Sequence, residues 1–371
     1  MKFTRLISFA VIGVLSVGTL VTVAEVNKAP VDRVMEIEDL TGDRSVLDGV
    51  TLENVIKTDE NAFEKVYLKN EDVVFEKTEF DLRHGVGEEV LRHKDLYRGM
   101  NNALKAETDA VIFIARFNSL YPYASNDPFV ELAVKNKSTN EIMKEKVTVP
   151  DLKMSESIYN ESVLEIDGKI YYCLALGDMN GNSAKQSIKI YEVNQKTLQL
   201  QVVNVSELSL DGDYANSTNI IALDNNIYTI AYNDREYKLA MFNPATKDTE
   251  IINLSSLSGM SGYIQFFDMN EQTIFLQTEE KMLIIDRDTD AIVNEDDDFP
   301  SFAGDYEYVY STEHIMNDKL IYVLYGTYTG GLPSDQLLVA YDVKDGSLIY
   351  GGKLPSMADR GVGINYSFYN N

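Results

Sequence analysis

Apolar and polar residues alternate through most of the chain after about residue 49, and this period of two predicts β-strands rather than helices. The segments Lys189–Val193 and Leu198–Val202 both alternate in this way. Between them lies Asn194, a residue that favours tight turns, so the pair predicts a β-hairpin.

The turn at Asn194 recurs along the chain. Asn or Asp follows an apolar strand, and Thr or Asp stands three residues later. The instances are Asn136-x-x-Thr139, Asn194-x-x-Thr197, Asn243-x-x-Thr246, Asp286-x-x-Thr289 and Asp342-x-x-Asp345. Asn and Asp suit this position because their side chains accept hydrogen bonds from main-chain N–H groups two residues on. A second tight turn alternates with the first and leads into another apolar strand, at Asp167-Gly168, Asp224-Asn225, Asn270 and Asn317.

Together these turns divide the chain into units of four short strands, which is the pattern of a β-propeller blade. Five full units run from about Lys94 to Leu354. The lone strand predicted at 363–369 then joins three strands predicted between Gly49 and Phe80. We therefore expect an all-β fold, a single propeller of six four-stranded blades closed by its N- and C-terminal strands. A seventh blade is the alternative if the segment from Leu82 to Leu104 contains strands.

The N-terminus predicts export. Lys2 and Arg5 precede an uncharged run of 19 residues, from Leu6 to Ala24. A basic start followed by an apolar stretch is typical of a signal peptide, and the run also has the length of a membrane-spanning helix. We predict a signal peptide or N-terminal anchor at 1–24, an acidic linker at 25–45 and the propeller at 46–371. The protein is then extracytoplasmic, secreted or anchored, and contacts membrane only if the segment is not cleaved.

Charge and composition exclude several classes. The chain carries 33 Lys and Arg against 59 Asp and Glu, a net charge of −26, which argues against binding to nucleic acid. A single cysteine, Cys173, allows no internal disulfide, and its apolar setting predicts a buried thiol.

On these turns and repeats, the chain resembles extracytoplasmic β-propeller proteins of Gram-positive bacteria, and loosely the quinoprotein-type repeats with an apolar–Asp–x–x–Thr–Gly turn. The resemblance covers about Gly49 to Asn371 and implies architecture. Quinoprotein repeats rely on Trp docking, and this chain has no Trp, so no quinone or other cofactor is expected.

The search for catalytic chemistry finds no nucleophile or metal signature. His84, His93 and His314 are scattered and form no zinc motif. The segment Asp286-x-Asp288-x-Asp290 is similar to a calcium loop, but Ala291 stands where such a loop needs Gly. We interpret it as one of the repeated turns, and predict no catalytic residue and no metal site.

The connections between the second and third strands of each unit predict a binding face. Three of them are long, at 118–128, 177–186 and 326–336, and ring closure brings their blades into one sector. Long loops in a compact domain are more often functional than short ones. The candidate binding residues are the aromatic, acidic and amide residues of these loops: Tyr121, Tyr123, Asn126, Asp127, Asp178, Asn180, Asn182, Tyr328 and Asp335. Simple packing within the loops is the alternative for the tyrosines.

Two functions follow. The first is a non-catalytic binding or sensory propeller outside the cytoplasm that contacts a protein, a carbohydrate or another envelope component. The second is a calcium-dependent hydrolase or lactonase-like enzyme, which needs several carboxylates near the ring axis, where the inner strands offer few, such as Glu165 and Asp268.

Overall fold

Six antiparallel sheets form a six-bladed β-propeller. The structure is a computed structural model, and it describes residues 36–59, 62–69, 72–78, 90, 92–100, 103–117, 128–152, 156–178, 185–209, 216–232, 237–257, 263–278, 281–296, 306, 308–330, 332–355 and 366–368. The prediction of six four-stranded blades is confirmed. Of the segment proposed for a seventh blade, the described residues contain the helix Lys94–Tyr97 and Leu104, which belongs to blade 2, while residues 82–89 lie outside the described residues.

The strands are numbered in chain order, and the blades follow the same order. Blade 2 consists of β5 (Leu104–Glu107), β6 (Val111–Phe117), β7 (Phe129–Asn136) and β8 (Ile142–Thr148). Blade 3 consists of β9 (Glu156–Ile166), β10 (Lys169–Asp178), β11 (Lys185–Val193) and β12 (Leu200–Ser209). Blade 4 has a divided first strand, β13 (Asn216–Ser217) and β14 (Ile221–Leu223), followed by β15 (Asn226–Tyr232), β16 (Tyr237–Phe242) and β17 (Thr249–Asn253).

The remaining blades bring the two ends of the chain together. Blade 5 consists of β18 (Ile264–Met269), β19 (Thr273–Thr278), β20 (Met282–Asp286) and β21 (Ala291–Asp296). Blade 6 consists of β22 (Tyr308–Met316), β23 (Leu320–Thr329), β24 (Leu332–Asp342), β25 (Leu348–Lys353) and an added strand β1 (Glu38–Gly42). Blade 1 consists of β26 (Ser367–Phe368) with β2 (Thr51–Asp59), β3 (Ala62–Lys69) and β4 (Asp72–Thr78).

The first strand of each blade is the inner one. Contacts between blades run from β5 to β9, from β9 to β14, from β18 to β22 and from β22 to β26, so these strands face one another around the centre. The pairing of β26 with β2 confirms the predicted closure, because the last strand of the chain supplies the inner strand of blade 1.

Two side chains of blade 6 hold the C-terminal strand in place. Glu313 Oε2 accepts a hydrogen bond from the Phe368 N–H at 2.8 Å, and Gln336 Oε1 accepts one from the Tyr366 N–H at 2.6 Å. Strand β26 is only two residues long, so these side chains add to the few main-chain bonds that it makes with β2.

The end of the predicted linker is part of the ring. Strand β1 pairs with β25 at the outer edge of blade 6, where Asp39 accepts hydrogen bonds from Tyr350 Oη at 2.6 Å and from Arg44 Nε at 2.8 Å. A short 3-10 helix, Arg44–Leu47, follows, and Tyr322 Oη donates to the Val46 carbonyl at 2.7 Å. Main-chain pairing and hydrogen bonds from the Tyr350 and Tyr322 hydroxyls therefore hold residues 38–47 against blade 6.

The hydrophobic core lies between neighbouring blades rather than at one centre. Five clusters fill the successive gaps between blades 2 and 3, 3 and 4, 4 and 5, 5 and 6, and 6 and 1. A sixth cluster covers the other face of blade 2, where Leu96, Tyr97 and Met100 of the helical connector pack on Ile112 and Ile114. The single cysteine, Cys173, is fully buried in the cluster between blades 3 and 4, and burial raises the pKa of its thiol.

The two faces of the ring differ in their connections. The lower face, as we call it, carries the turns that join the first strand of a blade to the second and the third strand to the fourth. The upper face carries the other connections. On the lower face, each repeated Asn or Asp accepts hydrogen bonds from the main chain, as Asn194 does from Lys196 and Thr197 at 3.0 and 3.1 Å. The residue four positions later has positive φ in all five turns: Asn140, Leu198, Lys247, Asp290 and Gly346.

Candidate functional site

The connections on the upper face are unequal. Those of blades 2 and 3 contain residues 118–128 and 179–184, and these two blades are neighbours. In blade 6, however, β23 ends at Thr329 and β24 begins at Leu332, so the connection is a tight turn at Gly330, where φ is +61°. The expectation of a long loop from Gly326 to Gln336 is corrected, because both strands extend as a hairpin through most of that segment.

The structure describes three of the nine candidate binding residues. The others lie outside the described residues: Tyr121, Tyr123, Asn126, Asp127, Asn180 and Asn182. Asp178 is the last residue of β10, at the upper end of blade 3, and pairs in register with Glu156. Tyr328 and Asp335 lie in blade 6, on β23 and β24 rather than in a loop.

The carboxylate of Asp335 belongs to a polar network within blade 6. It accepts a hydrogen bond from Tyr306 Oη at 2.9 Å and forms an ion pair with Lys353 Nζ at 2.9 Å. The Thr327 hydroxyl bonds to both main-chain groups of Asp335, and this closes a bulge in the β23–β24 pairing. Burial and the bond to Asp335 raise the pKa of Tyr306 to about 12. Through these contacts, Asp335 holds strands β23, β24 and β25 together.

Tyr328 contributes to an aromatic pair at the upper end of blade 6. Its ring centroid lies 5.5 Å from that of Tyr310 on the inner strand β22. The Tyr310 ring lies over Gly326 of β23, where a β-carbon would come within 2.6 Å of it. The absence of a side chain at Gly326 therefore creates the space in which the Tyr310 ring rests on the sheet.

Blade 3 repeats this arrangement. Tyr159 of the inner strand β9 is the extra residue of a β-bulge opposite Ala175 and Leu176, and its ring covers Gly177 too closely for any β-carbon there. Its side chain is 45% exposed, which makes it available at the surface. The sequence analysis missed these rings. The shared signal was a glycine near the upper end of the second strand, at Gly177 and Gly326.

Blades 4 and 5 carry a third aromatic group on the upper face. Tyr232 and Tyr237 stack at 6.1 Å at the ends of β15 and β16, and Tyr263 meets Tyr232 edge to face at 5.8 Å. Tyr263 is 54% exposed, the highest value among the exposed large apolar side chains of the described residues. Tyrosines therefore mark the upper ends of blades 3, 4, 5 and 6.

An open pocket of about 370 Å³ lies between blades 2 and 3, at the upper ends of β6 and β9. Its lining is Phe117, Ile158, Tyr159, Asn160 and Glu161. Glu161 accepts a hydrogen bond from Tyr172 Oη at 2.8 Å and another from the Phe117 N–H. Burial raises the pKa of Glu161 despite these two donors, so the carboxylate is only partly compensated by the protein.

A buried ion pair joins two strands of blade 3. Lys189 Nζ lies 2.7 Å from Glu156 Oε2 and donates to the Asp151 carbonyl at 2.5 Å, with both side chains almost completely buried. The ammonium group is thus neutralised by a carboxylate and hydrogen-bonded to the main chain, as burial of a charge requires. The pair connects the inner strand β9 to β11.

The acidic segment on the lower face is a turn, as the sequence predicted. Asp286 accepts hydrogen bonds from the N–H and hydroxyl of Thr289 at 2.8 and 2.7 Å. Asp290 accepts from the main chain and hydroxyls of Ser255 and Ser256, which fastens blade 5 to blade 4. Its carboxylate is thereby occupied by protein donors.

The inner-strand acids Glu165 and Asp268 also have protein partners. Glu165 accepts a hydrogen bond from the Gly168 N–H at 2.6 Å, and Asp268 lies 3.4 Å from Nε2 of His314 on β22. The His314 ring packs between Phe266 and Phe275, with centroids 4.7 and 5.7 Å away. Within the part of the chain that the structure describes, no group of three or more His, Cys, Asp or Glu residues is arranged to hold a metal ion.

Comparisons with known proteins give likenesses of shape only. No protein-family model matches the chain, and no curated protein matches it. Among solved structures, it is similar to the periplasmic gluconolactonase PpgL of Pseudomonas aeruginosa, with 10% identity, a TM-score of 0.45 and 81% of each chain covered. It is also similar to the Dos1 propeller, with 7% identity, a TM-score of 0.41, and 80% of this chain and 73% of that chain covered.

A further likeness is to the extracellular domain of a putative hybrid two-component system from B. thetaiotaomicron. The identity is 12%, the TM-score is 0.42, and the match covers 85% of this chain but only 38% of that one. In the described residues, no helix is long and apolar enough to cross a membrane. The apolar run Leu6–Ala24 lies outside the described residues.

Proposed function

We propose that this protein is a non-catalytic binding or sensory propeller that works outside the cytoplasm and contacts its partner through the upper face. The partner is a protein, a carbohydrate or another component of the cell envelope. The observation that carries the proposal is the grouping of tyrosines at the upper ends of four blades, with Tyr159 and Tyr263 exposed. Exposed tyrosines supply large contact areas at low entropic cost and are enriched in binding surfaces.

The contrast with the lower face supports this proposal. There the same Asn or Asp turn is repeated in five blades, with its side chain bonded to its own main chain. Such turns are typical of structural connections, whereas unequal loops and surface aromatics are typical of recognition. The N-terminus, which is basic and then apolar, supports an extracytoplasmic location. We also propose that the chain is related to the extracytoplasmic propellers of Gram-positive bacteria.

The experiment is affinity capture from the native cell envelope with the full-length chain, followed by mass spectrometry. The test variants are Tyr121→Ala with Tyr328→Ala, and Tyr159→Ala with Tyr263→Ala. The matched control is Asp318→Ala with Lys319→Ala, two exposed residues of a lower-face turn. We expect the upper-face variants to lose a specific partner that the control retains.

Equal capture by all variants would reject the upper face as the binding surface. Hydrolysis of a lactone that requires added calcium and disappears in Asp268→Asn would instead support the enzymatic alternative. Asp268 is the appropriate residue for that comparison because it lies on an inner strand and is partly exposed.

A further inference from the structure

We propose that the pocket between blades 2 and 3 binds an organic ammonium group, with the Glu161 carboxylate as its counter-charge and the Phe117 side chain as its aromatic wall. We call it the ammonium pocket and define it by Phe117, Ile158, Tyr159, Asn160 and Glu161. The inference rests on the proposed binding function and names the chemical class of ligand. At about 370 Å³, the pocket is within the size range of small-molecule sites.

The first reason is the incomplete compensation of Glu161. An ionised carboxylate has about four acceptor positions, and the two identified donors are Tyr172 Oη and the Phe117 N–H. Both donors are neutral, so among the described residues the partly buried negative charge has no identified cationic partner. A ligand cation beside Glu161 would supply the missing charge, and this gain is greatest where water is excluded.

The second reason is that nearby protein cations have other partners. Arg116, next to Phe117 on β6, forms an ion pair with Glu131 on the neighbouring strand. Lys189 of blade 3 is buried against Glu156 and the Asp151 carbonyl. Neutralising Glu161 with either side chain would break one of these existing pairs.

The third reason is the apolar character of the rest of the lining, which favours an organic cation over a metal ion. Phe117 and Ile158 pack against the apolar cluster between blades 2 and 3, and Glu161 is the one carboxylate among the described lining residues of the pocket. Calcium takes six to eight oxygen ligands, usually with several carboxylates, whereas the described lining has one carboxylate. Alkylammonium groups are bound by aromatic faces together with a single acidic group, since the methyl groups fill apolar space.

The charge of the protein supports the same ligand class. A net charge of −26 produces a negative potential around the domain, and this potential raises the local concentration of cations and repels anions. A neutral sugar would gain nothing from this field, whereas an ammonium group would gain both from the field and from Glu161.

The test is calorimetric titration of the full-length chain with choline. The comparison ligand is the uncharged isostere of choline, in which a tert-butyl group replaces the trimethylammonium group. The variants are Glu161→Gln, which removes the charge and leaves one acceptor oxygen, and Phe117→Leu, which removes the aromatic side chain. Glu145→Gln, on the outer strand β8 and exposed, is the matched control for loss of one negative charge.

We expect saturable choline binding by the parent and by Glu145→Gln, and about tenfold weaker binding by Glu161→Gln and by Phe117→Leu. The uncharged isostere should bind at least about tenfold more weakly than choline. Circular dichroism melting of each variant separates loss of binding from loss of fold. Equal binding of choline and its isostere, unchanged binding by Glu161→Gln, or no saturable binding by the parent would each overturn the inference.

This outcome is separable from that of the proposed function. Envelope capture that survives in Glu161→Gln, without choline binding by the parent, would reject the ammonium pocket and leave upper-face recognition standing. If the parent showed neither specific envelope capture nor choline binding, both upper-face recognition and the ammonium pocket would be rejected.

Discussion

Gly326 lies directly under the ring of Tyr310, and a β-carbon built on Gly326 would stand 2.6 Å from Cζ of that ring. The neighbouring Tyr328 ring then packs at 5.5 Å from the Tyr310 ring. Glycine weakens a strand because it has no side chain to pack, but an aromatic ring laid across it restores the lost contacts. Packing at the upper end of blade 6 therefore depends on the missing side chain of Gly326 and on the Tyr310 ring that fills the space.

Gly326→Ala should destabilise the protein by about 1–3 kcal/mol, because the added methyl group must displace the Tyr310 ring. The measurement is urea unfolding followed by circular dichroism. Combining Gly326→Ala with Tyr310→Ser should recover part of the loss, since the ring that the methyl group would meet is then absent. An additive double variant would show that the two residues do not interact.

Lys247→Gly should stabilise the protein. Lys247 occupies the positive-φ position of its lower-face turn, with φ of 64°, and in blade 6 the same position is Gly346. Left-handed backbone costs a side-chain-bearing residue about 1–2 kcal/mol, while glycine costs about 0.5–1 kcal/mol through its freedom in the unfolded chain. We therefore expect a gain of about 0.5–1 kcal/mol in urea unfolding.

Gly346→Ala is the natural counterpart of that substitution. It should destabilise the protein, because it introduces a side chain at φ of 67° and the new β-carbon would contact the Asn294 side chain. A loss of stability in Lys247→Gly would contradict the assignment of this turn position.

Glu313→Ala should loosen the C-terminal strand. The carboxylate of Glu313 accepts the Phe368 N–H at 2.8 Å, and its removal leaves that donor without this acceptor. We expect a cost of about 1–3 kcal/mol, together with faster hydrogen exchange at Phe368. Glu141→Ala, an exposed site on a lower-face turn, provides the control. Equal hydrogen exchange at Phe368 in both variants would argue against the role of Glu313 in holding β26.

Buried tyrosines should make the protein unstable in alkali. Burial raises the pKa of several tyrosines, and that of Tyr306 reaches about 12 through burial and its bond to Asp335. In the unfolded chain tyrosine loses its proton near pH 10, so the stability is fully present below about pH 10 and falls as pH rises toward the folded values.

Near-ultraviolet absorbance of tyrosinate measures this transition directly, because the chain has 23 Tyr and no Trp. We expect part of the tyrosines to titrate near pH 10 and the rest to titrate cooperatively with unfolding at higher pH. Tyr306→Phe should remove one late-titrating group. Titration of all tyrosines near pH 10 in the folded protein would contradict the assigned burial.

The architecture could be read from the sequence because each blade repeats local turn chemistry. Asn136, Asn194, Asn243, Asp286 and Asp342 mark the same turn, and the side-chain bonds that cause the preference are local. The closing strand could be predicted too, since the repeat left one strand over at the C-terminus.

The site residues were less accessible to such reasoning. The exposure of Tyr159 depends on a bulge that changes the face of β9, and a single sequence does not locate bulges. The hydrogen bond that Glu161 accepts from the Phe117 N–H joins two neighbouring blades, and a single sequence does not show which blades meet there. Asp335 was expected in a loop, but Thr327 closes a bulge around it, and that bond joins residues on two different strands.

The pairing of β26 with β2 determines the order in which the blades can form during synthesis. Blades 2 to 5 each consist of consecutive chain and can form as soon as that stretch has been synthesised, whereas blade 1 also needs β26, which follows all the other strands in the chain. Until then the ring is an open arc with an uncovered edge on β2, a form prone to join with other strands. A chain that lacks Ser367 and Phe368 leaves that edge of β2 without its inner partner strand.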